Sequence, residues 1–176
     1  MDDRGILEGK RILVVDDEPD ILETLEELLS MCRMHTAGSF ETAVDLLKTN
    51  TYDAAIFDIM GVQGYQLLEI TRRLNIPTLM LTAHALTPEN LKTAIEKGAD
   101  AYVPKDKLVD ITLFAADVLT ARKQGRQANA GWFSFVRPVF DKLFGPGWKK
   151  TDQDFWDAFE NQQTENQPDH GSTVDK

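Results

Sequence analysis

Cysteine is almost absent from this 176-residue chain, Cys32 being the single one. Neither a disulfide framework nor a thiolate metal site can form within one chain, and a reducing compartment fits. Long apolar runs are also missing. No stretch approaches the roughly 20 apolar residues of a membrane span, and the opening MDDRGILEGK has no signal-peptide core. A cytoplasmic location is the expectation. Positive charge is scarce: 19 Lys and Arg face 29 Asp and Glu, giving a formal net charge of −10. That balance opposes a protein whose main work is neutralising nucleic-acid phosphates. No internal repeat, nucleotide-cradling glycine loop or cofactor fingerprint is present.

What is there is an alternation of short apolar runs with amphipathic stretches. ILVVDD (12–17) reads as a buried parallel strand ending in acids. After Pro19, Ile21, Leu22, Leu25, Leu28, Leu29 and Cys32 keep helical spacing. Met34 to Ala37 is a weak second strand, and Ser39 caps a helix carrying Phe40, Ala43, Val44 and Leu47 inward. AAIFD (54–58) is the third strand, followed by a glycine-bounded loop and a helix from about Gly64 to Leu74. PTLMLTA (77–83) is the fourth. Thr87 and Pro88 form an N-cap and first-turn pair for a helix that Gly98 ends. Ala101 to Val103 is the fifth strand, and a last helix spans Leu108 to Arg122 with Val109, Leu113, Ala116 and Leu119 on one side.

Strands that each lead into a helix imply an α/β fold, a doubly wound, flavodoxin-like five-stranded parallel sheet with helices on both faces. In such sheets ligands bind beyond the carboxyl ends of the strands. The reactive side chains obey that rule: Asp16 and Asp17 end the first strand, Asp58 the third and Thr82 the fourth, while Lys105 follows the fifth. Carboxylates gathered at one sheet end repel one another and need a cation, and an all-oxygen set favours Mg²⁺ or Mn²⁺ over Zn²⁺. Taken singly, each residue has a plainer explanation. Acids sit at helix starts, a strand tyrosine is half buried, and a loop lysine is solvated.

Together the motifs resemble the receiver domain of bacterial two-component response regulators over roughly residues 10–122. VVDDEP (14–19) is similar to its acidic pair, FDIM (57–60) to its phosphoacceptor strand, LTA (81–83) to its hydroxyl position and AYVPK (101–105) to its aromatic and lysine. The resemblance implies that Asp58 accepts a phosphoryl group from a sensor histidine kinase or phosphotransfer protein. It implies that Asp17, Asp58 and the Met60 carbonyl bind Mg²⁺, with Asp16 acting through water. Lys105 and Thr82 would contact phosphoryl oxygens, Ala83 would leave room for them, and Tyr102 would turn inward as Thr82 moves. The output would be an altered surface made by the fourth helix, fifth strand and fifth helix. His84 falls where the family tunes loss of the phosphoryl group. Two departures stand out: IMGVQGYQ after Asp58 is short and lacks the usual proline, and Lys105 is followed by Asp106 where the family has proline. A receiver fold kept as a phosphorylation-independent scaffold, or a phosphate-handling enzyme, are the alternatives. No separate catalytic domain is expected.

Composition changes after Arg122. The divisions expected are a receiver at 1–123, a linker at 124–131, an aromatic helical extension at 132–160 and a polar disordered tail at 161–176. All the tryptophans, Trp132, Trp148 and Trp156, lie in the extension. WFSFVRPVFDKLF (132–144) has helical spacing, with Pro138 placing a helix start near Arg137, and a second short helix begins at Thr151. Clustered aromatics mean burial, first on this receiver or on a second subunit in a homodimer, with the face made by the fourth helix, fifth strand and fifth helix as the surface expected, or else on a protein partner. Contact with a membrane surface is a weaker reading, and DNA binding is disfavoured by the acids after Thr151.

Overall fold

In the computed structural model the described residues are 3–83, 86–126 and 128–165. His84 and residues 166–176 lie outside them. A short helix α1 (Asp3–Leu7) precedes strand β1 (Arg11–Val15), helix α2 (Pro19–Leu28) and strand β2 (Arg33–Ala37). Helix α3 (Phe40–Thr49), strand β3 (Ala54–Asp58), helix α4 (Gly64–Arg73), strand β4 (Thr78–Thr82) and helix α5 (Pro88–Glu96) follow. Strand β5 (Ala101–Pro104) leads through a 3₁₀ turn (Lys105–Asp110) into helix α6 (Ile111–Lys123).

All four strand pairings are parallel, in the order β2-β1-β3-β4-β5. This is the doubly wound arrangement whose switch point falls between β1 and β3, at the strands that end in Asp16 and Asp58. Central β3 and β4 are buried along their whole length, as continuous apolar runs require. The caps behave as their chemistry dictates: Ser39 accepts from the Thr42 N–H at 3.2 Å and Thr87 from the Asn90 N–H at 3.1 Å.

Three elements differ from the sequence reading. The polar opening holds α1, whose Leu7 is buried and which packs on α6. In α6 the buried set includes Ala116 and Leu119, as expected, together with Ile111, Phe114, Ala115 and Val118, while Leu113 and, in the preceding turn, Val109 are exposed. The 3₁₀ turn over 105–110 rotates the start of the helix, so an unbroken α-helical period from Leu108 misplaces Val109 and Leu113 and holds for Ala116 and Leu119. Beyond α6, a single helix α7 (Asn129–Phe144) starts inside the stretch expected as a linker and runs through Pro138. Proline removes the main-chain donor that would reach Ser134 and costs about 3 kcal/mol. Burial of Trp132, Phe133, Val136 and Phe140, at roughly 1.5–3 kcal/mol each, outweighs that cost. A 3₁₀ turn (Trp148–Asp152) and helix α8 (Gln153–Glu165) complete the described residues, α8 extending into the stretch expected as tail.

The two sheet edges contrast. β2 is partly exposed, whereas every residue of edge strand β5 is buried, because α7 lies along it. α7 is also tied to α6 by the Phe114–Phe135 ring contact at 5.2 Å. The Lys92 ammonium on α5 reaches Asp152 at 2.9 Å and sits over the Phe155 ring. The extension therefore packs on its own receiver, across the face made by α5, β5 and α6. Its interior is an aromatic cluster in which Phe140 meets Trp148 at 5.1 Å, Trp148 meets Trp156 at 4.9 Å and Phe133 meets Phe159 at 5.1 Å. Among the described residues no helix is long and apolar enough to cross a membrane.

Since every tryptophan is in the extension, its emission reports that layer alone. Phe140→Ala should lower the urea midpoint followed by tryptophan emission, by the equivalent of roughly 3 kcal/mol for a lost buried ring. An unchanged midpoint would mean that this cluster does not hold the extension together.

Candidate functional site

The carboxyl ends of β1, β3, β4 and β5 bring Asp16, Asp58, Thr82 and Lys105 to one end of the sheet. Parallel pairing enforces this, since Asp58 is in register with Leu81, and Thr82 with Pro104. Asp16, Asp58 and Thr82 are buried. The Lys105 ammonium, 9% exposed, lies 2.8 Å from Asp16 Oδ2, 2.8 Å from Glu18 Oε1 and 3.4 Å from Asp58 Oδ1. Asp16 Oδ1 accepts the Glu18 N–H at 2.9 Å, which fixes the turn into α2.

The electrostatics follow from burial with too few positive charges. Burial, then the neighbouring Asp16 and Asp17 carboxylates, push the Asp58 carboxyl up to about 6, against the pull of Lys105. Asp16 is raised chiefly by burial, with Lys105 opposing. Burial by itself would lower the Lys105 ammonium, yet the Asp16 and Glu18 carboxylates hold it above the usual lysine range.

The loop after Asp58 closes tightly on the site through two glycines. A Cβ on Gly61, whose φ is +81°, would lie 2.5 Å from Asp17 Oδ2, and one on Gly64 would lie 2.2 Å from the Asp58 carbonyl oxygen. The shortened loop therefore passes directly beneath the Asp17 carboxylate. Gln63, with φ of 54°, completes the turn in the left-handed region. Met60 occupies this turn with its side chain exposed. Ala83, just past Thr82, is exposed as well.

Carboxylate oxygens of Asp16, Asp17 and Glu18 come within 4.8 Å of one another. An all-oxygen set of this kind suits Mg²⁺, which keeps part of its shell as water and is commonly held by one or two carboxylates. Asp58 falls outside that trio and meets it through Lys105. Glu18 is the site residue that sequence reasoning missed. Its position directly after the acidic pair was the available signal, masked by the reading of the segment as an ordinary helix start.

Tyr102 is fully buried, and its hydroxyl is hydrogen-bonded with Thr82. Burial raises the phenol well above its usual range, with Thr82 opposing. The resemblance implied a ring that turns inward on activation. Here the ring is already inside, on an edge strand covered by α7.

Residues 12–113 match the response regulator receiver domain family. The two-component response regulator ARR18 of Arabidopsis thaliana is 36% identical over 101 residues, 54% of this chain and 16% of that protein. ORR24 of Oryza sativa is 38% identical over 104 residues, 55% of this chain and 16% of that protein. Among solved structures, a CheY-like receiver domain protein from Methanospirillum hungatei JF-1 superposes with a TM-score of 0.61 at 26% identity, over 67% of this chain and 99% of that one. The chain spans about a sixth of the length of these curated relatives.

A carboxyl held near 6 penalises the folded state once it ionises. Stability attributable to Asp58 is greatest below the ordinary carboxylate range and declines as pH rises through about 6. In metal-free buffer at pH 7.5, Asp58→Asn should therefore stabilise the fold by roughly 1–3 kcal/mol. The gain should vanish below about pH 4, and Mg²⁺ should raise the Tm of the unaltered protein more than that of the variant. Calorimetry from acid to neutral pH checks this. A gain independent of pH would contradict the electrostatic origin.

Proposed function

Because this chain belongs to the response regulator receiver domain family, we propose that Asp58 is its phosphoacceptor and that its output passes through its own C-terminal helices. Receivers of this family interact with histidine kinases or phosphotransfer proteins, and one of these is the proposed donor. The phosphorylation-dependent switch is the family's activity. Its assignment to particular residues, and the role of the extension, are the reading offered here.

In the proposed step an Asp58 carboxylate oxygen attacks phosphorus as the bond from phosphorus to the donor's leaving atom breaks. The product is an acyl phosphate, a mixed anhydride that water hydrolyses. Asp17, Asp58 and the Met60 carbonyl, with Asp16 acting through water, would hold Mg²⁺, which would neutralise charge on the phosphoryl oxygens. Lys105, 3.4 Å from Asp58 Oδ1, pairs with another of those oxygens. Thr82 donates its hydroxyl to one of them. The same hydroxyl is hydrogen-bonded with Tyr102, so a shift of Thr82 toward the phosphoryl group would act on that pair.

The observation that carries the output half is the cover on β5. Tyr102 sits in the edge strand that α7 buries, so a shift at Thr82 reaches the extension through one strand. A ligand-like event moves such an equilibrium only if the two states bind the extension differently. The phosphorylated receiver is proposed to hold α7 less tightly, leaving residues 132–160 to engage a second copy or a protein partner. Phe135, Leu143 and Phe144, exposed on α7, favour such a contact. We place this chemistry in the cytoplasm, where the lone Cys32 stays reduced.

Incubation with acetyl phosphate and Mg²⁺ should add one phosphoryl mass to the protein and none to Asp58→Asn. Undiminished labelling of that variant would move the phosphoacceptor elsewhere. In the same samples, tryptophan emission should shift red on labelling, and light scattering should report any new assembly. Unchanged emission with full labelling would uncouple the extension from the switch.

A further inference from the structure

We propose that Glu18 is a positioning residue that holds Lys105 in the unphosphorylated protein and competes with the phosphoryl group for its ammonium. The proposal deepens the reading of Asp58 as phosphoacceptor and rests on it.

Glu18 is misplaced by local rules. It occupies the N-cap of α2, a position that strongly prefers Ser, Thr, Asp or Asn, and its side chain makes no capping hydrogen bond. Its N–H is taken by Asp16 Oδ1. The side chain instead turns across the carboxyl end of the sheet toward the residue that follows β5, where Oε1 accepts from Lys105 Nζ at 2.8 Å, across 87 residues of sequence. A local rule broken for a contact of such long range marks a functional position more often than a structural one.

The three carboxylates around Lys105 are not equivalent. Asp16 is wholly buried and anchored by the Glu18 N–H, whereas the Glu18 side chain is 53% exposed. Asp58 is the most distant of the three at 3.4 Å. A phosphoryl group on Asp58 adds negative charge and new acceptor oxygens at that longer contact. Lysine has three donors, so strengthening the Asp58 contact weakens another. The pair that gives way is the exposed one, because water and salt replace its partner at little cost. Glu18 thus sets how much of the lysine is available to the incoming group.

Side-chain length separates this role from a simple charge effect. Glu18→Asp keeps the charge and falls one methylene short of Lys105, while Glu18→Gln keeps the length and removes the charge. Both should release the ammonium. In the metal-free protein, the ¹H–¹⁵N signal of the Lys105 ammonium should be protected from exchange, and that protection should fall in both variants. With Mg²⁺ and acetyl phosphate, both should label Asp58 faster, by roughly 1.5- to fivefold, the scale of one exposed ion pair. Glu18→Asp labelling at the unaltered rate while Glu18→Gln accelerates would reduce Glu18 to a background charge and overturn the proposal. Slower labelling of both, with Mg²⁺ affinity lowered by isothermal titration, would make Glu18 a metal ligand and overturn it as well. Failure of the unaltered protein to label at all would instead strike the phosphoacceptor reading beneath it, whereas labelling at equal rates in all three proteins would sink only the role of Glu18.

Discussion

The ammonium of Lys105 is the positive charge around which the top of this sheet is organised. β1 and β3 end in carboxylates that are almost wholly buried, an arrangement that repulsion and desolvation would otherwise oppose. A single lysine delivered from the end of β5 meets Asp16, Glu18 and Asp58 together. It only partly offsets their charge, as the raised Asp16 and Asp58 show. The site is therefore short of positive charge while folded, and that shortage is the physical reason it suits a hard cation, which would also offset the negative charge a phosphoryl group adds. The tight approach of Gly61 to Asp17 and of Gly64 to the Asp58 carbonyl serves the same end, because it brings the loop and the acidic residues together without side chains between them.

A second constraint acts at the sheet edge. An uncovered edge strand presents unpaired backbone groups and invites pairing with other chains. Here α7 buries β5, and the aromatic cluster behind it gives the cover a core of its own. Because Tyr102 shares a hydrogen bond with Thr82 at the strand's end, the element that protects the edge is the one placed to feel the site. Polar chemistry at Asp58 and apolar packing at Trp132, Phe140 and Trp156 are thus joined through one short strand.

Much of this was legible in the sequence. Strand ends are readable because buried parallel strands are short apolar runs, and the acids, threonine and lysine directly follow them. The caps at Ser39 and Thr87 were equally clear, since their geometry is local. What escaped was set by tertiary packing. Pro138 reads as a helix start, but four buried apolar residues outweigh its broken hydrogen bond. Val109 and Leu113 read as inward until the 3₁₀ turn shifts the phase of α6. The face on which the extension lies was also readable, since the fifth strand and its flanking helices were the surface expected for the aromatics, and α7 does lie along β5; what composition could not give is the path of the helices across that face. Glu18 was hidden for a similar reason, its partner being fixed only when β1 and β5 are placed in one sheet.

The central claim is that the charge state of Asp58 is felt by α7 through Thr82 and Tyr102. Hydrogen–deuterium exchange of the β5 and α7 amides, with and without acetyl phosphate and Mg²⁺, tests it most directly. The account predicts faster exchange along α7 in the phosphorylated protein, and no such change in Thr82→Ala labelled to the same extent. Identical α7 exchange in the labelled and unlabelled protein would contradict it.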